Sequence, residues 1–389
     1  MQETNCPIND KLKQRERQVN QINMASLRWN FWFLVLYAFL LTHSHGRRCL
    51  PEKHVALFVF GDSLFDAGNN NYINVTAESK ANFEPYGMTT FKYPNGRFSD
   101  GRIAPDYIAE YAKLPYIAPY LHPGYHLFVN GANFASAGAS ALGETHQGSA
   151  IHLKTQLGYF KNLARLFRRK LGAAGARKLL KRAVYLISIG ANDYPGSSMS
   201  NSSGPSPSSQ EYVDMVIGNL TFVLRGIYEQ GGRKFALPSV PPTLLLPISR
   251  ARTVANKDDK IREKIAELIK LHDKTLSRVL QELERQLRGF RYSKATLFTF
   301  LSERINSPSK YGFKEGEIAC CGTGPYRGLW SCGGKRPVKE YEVCGNPREY
   351  VFFDSAHPSE KTHQQLAELM WSGPPNLIGP YNLKALFEL

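Results

Sequence analysis

Five short apolar runs, each rich in β-branched or aromatic residues, constrain this chain more than any other feature. They are VALFVF at residues 55–60, AVYLISI at 183–189, KFALPSV at 234–240, TLFTF at 296–300 and YVFF at 350–353. A strand with one wet face alternates apolar and polar side chains, whereas a strand covered on both faces is apolar almost throughout. These runs read as the second kind. Helical patterns separate several of them. The clearest places Ile261, Ile265, Leu268, His272, Leu276, Val279, Leu283 and Leu287 at steps of three and four. Strands alternating with helices predict an α/β fold in which helices cover both faces of a mainly parallel sheet.

The ends of these runs hold the residues with chemistry. The first leads into Gly61-Asp62-Ser63-Leu64. Open α/β sheets bind ligands at the carboxyl ends of their strands, and a helix starting there would favour negative charge. The second leads into Gly190-Ala191-Asn192-Asp193-Tyr194, where the Asn192 amide is a candidate oxyanion donor. Both motifs also have ordinary uses, as a helix cap and as a turn. Residues 131–138 are rich in small side chains that let backbone N–H groups approach a ligand. The last run leads into Asp354-Ser355-Ala356-His357. An acid three residues before a His can hold its Nδ1–H and leave Nε2 free to take a proton from a serine. Together these residues supply a nucleophile, a base, an orienting acid and oxyanion donors, the parts of an acyl-transfer site. A Gly-x-Ser-x-Gly elbow is absent, which argues against the ordinary α/β-hydrolase arrangement.

The sequence around these residues resembles the plant GDSL esterase/lipase family of the SGNH hydrolase superfamily. FGDSLFDAGNNNY at 60–72, NGRFSDGR at 95–102, NGANFASAGA at 130–139, SIGANDY at 188–194 and FFDSAHPSEK at 352–361 are similar to the successive blocks of that family. The similarity covers essentially everything from Val55 onward. At 310–334 and at the C-terminus it resembles the defence-associated subgroup. The resemblance implies a three-layer α/β/α sandwich with a flavodoxin-like sheet, and a hydrolase of lipid, acylated sugar or cell-wall esters that needs no cofactor. It implies Ser63 as nucleophile, Asp354 and His357 as acid and base, and Ser63, Gly138 and Asn192 as the oxyanion hole, with Gly131 the second choice for the glycine. Many relatives carry a Cys pair after the strand corresponding to 234–240, and this chain has none there. An acyltransferase with the same triad, or a binding protein without turnover, are the competing readings.

The N-terminus reads as a leader. Residues 1–23 are polar, Met24 and Arg28 follow, and an apolar run occupies residues 29–41 before a polar exit near Gly46. That run is shorter than the roughly 20 residues needed to span a bilayer, and its flanks are those of a secretory signal peptide. We expect translation to start at Met24, residues 1–46 to be a leader, residues 47–389 to form one hydrolase domain, and the protein to be secreted to the apoplast or cell wall. Secretion would make the cysteines oxidising-compartment residues. Adjacent Cys320 and Cys321 are poorly placed to pair with each other, so each is expected to reach one of Cys332 and Cys344; the spacing of a zinc knuckle is absent. Cys6 falls in the leader and Cys49 is left over.

A formal net charge of +16 is compatible with an acidic partner. No zinc-finger, RNA-binding aromatic or heptad-backed basic pattern favours nucleic acid. Residues 165–182 contain Arg165, Arg168, Arg169, Lys170, Arg177, Lys178, Lys181 and Arg182 without one acidic residue. They are either a solvated helix face or a patch for an acidic cell-wall polymer. Glycosylation acceptor patterns start at Asn74, Asn201 and Asn219, with a Ser/Pro/Gly-rich loop expected over 195–210. His272 is read as structural and His363 as solvent-facing.

Overall fold

The computed structural model describes residues 50–389 except 52, 125–126, 144–149, 195–206, 256–258 and 335. The leader with Met24, Cys6 and Cys49, the Asn201 acceptor and most of the expected 195–210 loop lie outside the described residues. In chain order the elements are β1 (Leu57–Gly61), α1 (Ala104–Tyr111), α2 (Leu153–Arg182), β2 (Val184–Ser188), α3 (Ser209–Gln230), β3 (Lys234–Pro238), α4 (Pro247–Ala255), α5 (Asp259–Gln286), β4 (Arg291–Ala295), α6 (Leu297–Asn306), β5 (Cys321–Gly322), β6 (Glu342–Val343), α7 (Glu360–Ser372), β7 (Ile378–Pro380) and α8 (Leu383–Glu388).

The main sheet runs β1-β2-β3-β4-β7, parallel except for β7. On the far side of β1 an irregular segment lies alongside it: Leu57 N–H donates to Asn130 O, Phe134 N–H to Val59 O and Ser136 N–H to Gly61 O. With that segment as second strand, the order is the flavodoxin-like 2-1-3-4-5, and the carboxyl end of β1 lies at its switch point. Both faces are covered. Phe58, Phe60, Tyr185 and Phe235 pack in one core with Phe160 and Leu220. Leu57, Val59, Leu186 and Ala236 pack in the other with Ile108, Phe300 and Leu366. Capping sets helix starts: at α3, Ser208 Oγ accepts from Glu211 N–H while Glu211 accepts from Ser208 N–H.

Several expectations are corrected. Residues 296–300 are not a strand. The strand is the preceding Arg291–Ala295, and Leu297, Phe300, Leu301 and Ile305 are buried at helical spacing in α6. A short apolar run cannot by itself separate a strand from a buried helix turn. Residues 350–353 do not join the sheet; they run extended beside the 315–321 segment, with Val351 N–H donating to Glu315 O. His363 is not solvent-facing. It is 1% exposed, its Nδ1 accepts from Ala104 N–H at 3.3 Å, and burial pushes its pKa down to about 3. His272 is likewise buried on the α5 stripe. The Asn219 acceptor lies within α3 and donates to Met215 O, whereas Asn74 is exposed in a loop.

Among the described residues no helix is long and apolar enough to cross a membrane. Disulfides join Cys320 to Cys344 and Cys321 to Cys332. Within the first core, the fully buried Phe160 ring lies 5.5 Å from those of Phe58 and Tyr185 and 5.8 Å from that of Phe60, tying α2 to β1 and β2. Phe160→Ala should therefore lower unfolding free energy by about 3–5 kcal/mol, read from urea titrations at unchanged slope. A loss below about 1 kcal/mol would mean that the neighbouring rings close the gap.

Candidate active site

The site is built outward from the end of β1. Gly61 has φ +139°, and a Cβ on it would lie 2.1 Å from Ser188 O, so only glycine lets β1 and β2 stay paired as the chain turns. Asp62 N–H donates to Ser188 O, and Phe65 and Asp66 N–H donate back to Asp62 O. Ser63 thus stands on a tight turn, part-exposed, not at the start of a regular helix as expected. Burial pushes the Asp62 carboxyl up to about 7; the Leu64 N–H and nearby His357 pull it partly back, and Asp193 adds to the rise.

The FGDSLFDAGNNNY block then fastens the neighbouring segment. Asp66 accepts from Gly68, Asn69 and Ala137 N–H, Asn69 donates to Asn133 O and Ala135 O, and Asn70 donates to Ala137 O. These bonds hold Gly138, part-exposed at φ +83°, at the carboxyl end of β1. Gly131 lies at the other end of the strand: its N–H is in the turn before Ala132, and a Cβ there would lie 1.8 Å from Leu57 O. It is a packing glycine. From the end of β2, Asn192 Nδ2 donates to Ala139 O at 2.9 Å, next to Gly138. Asp193 accepts from Ala141 and Leu142 N–H, which binds the two loops together.

The third contribution comes from the loop before α7. Ser63 Oγ lies 2.8 Å from His357 Nε2, and His357 Nδ1 lies 2.8 and 2.9 Å from the two Asp354 oxygens. Asp354 Oδ1 also accepts from Ala356 and His357 N–H, both at 2.8 Å, and Oδ2 accepts from Tyr86 OH at 2.7 Å. Burial alone would raise the Asp354 carboxyl. The charge that His357 carries when protonated, with the hydrogen bonds from His357, Tyr86 and Ala356, outweighs it and holds the group below the usual carboxylate range. An ionised carboxylate only accepts, so Nδ1 carries the imidazole proton and Nε2 faces Ser63 as acceptor. The imidazole packs against Phe98 at 4.6 Å and Trp330 at 5.6 Å.

The structure brings Ser63, Asp354 and His357 into one hydrogen-bonded run, and Gly138 and Asn192 into one neighbouring loop pair. Sequence reasoning missed Tyr86, Phe98 and Trp330. Phe98 lies in the NGRFSDGR block, so a motif marked its region, but no spacing ties Tyr86 to Asp354. Among the described residues no group of three or more His, Cys, Asp or Glu side chains could hold a metal ion.

The GDSL-like lipase/acylhydrolase family model matches residues 57–370. GDSL esterase/lipase 5 of Arabidopsis thaliana is 50% identical over 339 residues, covering 86% of this chain and 88% of its own. A GDSL lipase of Tanacetum cinerariifolium is 51% identical over 357 residues, 91% of this chain and 94% of its own. An inactive GDSL esterase/lipase-like protein 25 of Arabidopsis thaliana is 34% identical over 374 residues, 95% of this chain and 82% of its own. With a match over most of its length and relatives at half identity, the chain belongs to the GDSL-like lipase/acylhydrolase family.

Proposed function

We propose that the chain hydrolyses carboxylic esters, of lipids or of acylated sugar and cell-wall polymers, through an acyl-enzyme on Ser63. The observation that carries this reading is the run Ser63–His357–Asp354. Ser63 Oγ attacks the ester carbonyl as Nε2 takes its proton. Asp354 steadies the imidazolium, and the tetrahedral oxyanion accepts from Ser63 N–H, Gly138 N–H and Asn192 Nδ2. An amide nitrogen has two protons; with one on Ala139 O, Asn192 keeps the other for the substrate. His357 then protonates the departing alkoxide. Water, deprotonated by the same imidazole, releases the acid and restores Ser63. Passing the acyl group to an alcohol instead would make a transferase, which product analysis with added polyol separates. One relative carries the word inactive in its name; the intact hydrogen-bonded run favours turnover here.

A fluorophosphonate should label Ser63, and Ser63→Ala should lose both labelling and on the order of 10⁴–10⁶ in kcat while staying folded. Asp354→Asn should lose on the order of 10⁴ in kcat, because the amide favours the wrong imidazole tautomer. Ester turnover by folded Ser63→Ala at the parent rate would remove this serine from the mechanism.

We further propose that the protein is secreted and held on acidic cell-wall polymer. Two cystines fit an oxidising compartment. Arg165, Arg168, Arg169 and Lys170 are exposed on the first part of α2, whose opposite side buries Phe160, Leu163, Phe167 and Leu171; past a break at Gly172 (φ +74°), Arg177, Lys178 and Lys181 are exposed on the second part. N-terminal sequencing of secreted protein should find its start within residues 46–50; an intact leader would refute secretion by this route. Retention on polygalacturonate should fall steeply with salt, because exposed charges are screened beyond about 8–10 Å at physiological ionic strength. An Arg168→Gln, Arg169→Gln, Lys170→Gln variant that binds as well as the parent at low salt would leave the patch a solvated face.

A further inference from the structure

Arg336 is a cation in an unusual place. It is 3% exposed, and its guanidinium lies 4.5 Å from the Trp330 ring centre and 5.4 Å from that of Phe83. Burying a charge is costly unless something compensates it. Among the described residues no carboxylate is ion-paired with it, its Nε has no hydrogen-bond partner, and its hydrogen bond runs from Nη2 to Tyr86 Oη at 3.0 Å. Rings contribute to holding it, and the Tyr86 hydroxyl that accepts from it in turn donates to the carboxylate of Asp354.

We propose that Arg336 is a positioning residue of the ester-hydrolysing site, acting on Asp354 through Tyr86. A guanidinium can only donate. With Nη2 donating into Tyr86 Oη, the hydroxyl proton must point elsewhere, and the acceptor 2.7 Å away is Asp354 Oδ2. Arg336 thereby fixes the direction of the Tyr86 hydroxyl and strengthens it as a donor. The effect falls on the weaker-held oxygen. Asp354 Oδ1 has two backbone amides besides the imidazole, whereas Oδ2 has Tyr86 besides the imidazole. Without Tyr86 directed at it, one carboxylate oxygen would be held by His357 alone.

The covalent structure serves the same geometry. Both ends of the 332–344 loop are pinned to adjacent residues, Cys332 on Cys321 and Cys344 on Cys320. Cys320 and Cys321 N–H donate to Phe352 O and Phe353 O, immediately before Asp354. The loop that carries Arg336 is therefore referenced to the segment that carries the acid. Trp330, on the same module, packs on the His357 ring. Two further buried ionisable groups, Asp62 and His363, are electrostatically coupled to His357.

This inference rests on the proposed Ser63–His357–Asp354 mechanism, and the experiment separates the two. Parent and variants are titrated with a fluorophosphonate, and kcat and KM of a soluble ester are expressed per labelled site across pH. Failure of the parent to label, or undiminished turnover by Ser63→Ala, refutes the mechanism itself. Given a labelled parent, Arg336→Met should lower kcat on the order of 10- to 100-fold, the worth of one hydrogen bond to a charged group, with KM nearly unchanged. Its acid limb of kcat/KM should move to higher pH, because removing a cation favours the protonated imidazole. Arg336→Lys should return that limb toward the parent position. Tyr86→Phe should lower kcat similarly, and the double variant should be no worse than the worse single one. Parent-like kcat per labelled site with an unmoved acid limb in Arg336→Met, or additive effects in the double variant, would overturn the proposal. Should Arg336→Met not fold, parent-like kcat in Tyr86→Phe overturns it equally.

Discussion

The carboxyl end of β1 has two neighbours at once, and this double pairing organises the rest. On one side Gly61 lies so close to Ser188 that no side chain fits between them. On the other, Ser136 N–H donates to Gly61 O. A strand held on both sides at its last residue cannot shift, so the turn carrying Ser63 has a fixed origin. The same pairing brings the ends of β2 and of the 130–136 segment to that origin, and with them Asn192 and Gly138. This is the geometry of a switch point, where strand order reverses and neighbouring loops part.

Around that origin lie several buried carboxylates, and their electrostatics differ in an informative way. Asp66 accepts three backbone N–H groups, yet burial still pushes it up to about 6. Asp193 accepts two and is also pushed up to about 6. Asp354 is as deeply buried but is held low. Neutral amide donors are therefore insufficient to offset desolvation here, and the adjacent imidazole changes the sign. Asp66 and Asp193 fasten loops. Asp354, whose charge is stabilised by a partner that can itself become charged, is suited to steadying an imidazolium.

The cystine module supplies what the sheet does not. Residues 350–353 leave the sheet, so Asp354 cannot be positioned by strand pairing as Ser63 is. Its segment is held by hydrogen bonds from Cys320 and Cys321 instead, and His357 is backed by Phe98 and Trp330. Reading 350–353 as a sheet strand gave the right neighbourhood for Asp354 by a wrong route. Phe353 packs with the cystines and Val351 and Phe352 with the core beneath the sheet, and burial of this kind looks, in sequence, like that of a strand.

What the sequence determined by itself was local. Continuous apolar runs marked β1, β2 and β3, the stripe from Ile261 to Leu287 marked α5 although Ile261 is exposed and Leu287 lies past its end, and the spacing of Asp354 and His357 follows directly from one short loop. Ser63 and Asn192 stood out because each follows an apolar run, whereas Gly138 was picked out of its small-residue block only by the family resemblance. Tertiary structure decided what depends on distant partners. It made Leu297, Phe300 and Leu301 a helix, because the strand position beside β3 is taken by Arg291–Ala295. It buried His363 against the start of α1 and brought Tyr86 onto Asp354 from 268 residues away. A periodicity records which face of an element is dry; it carries no record of which remote hydroxyl or ring arrives to cover a charge.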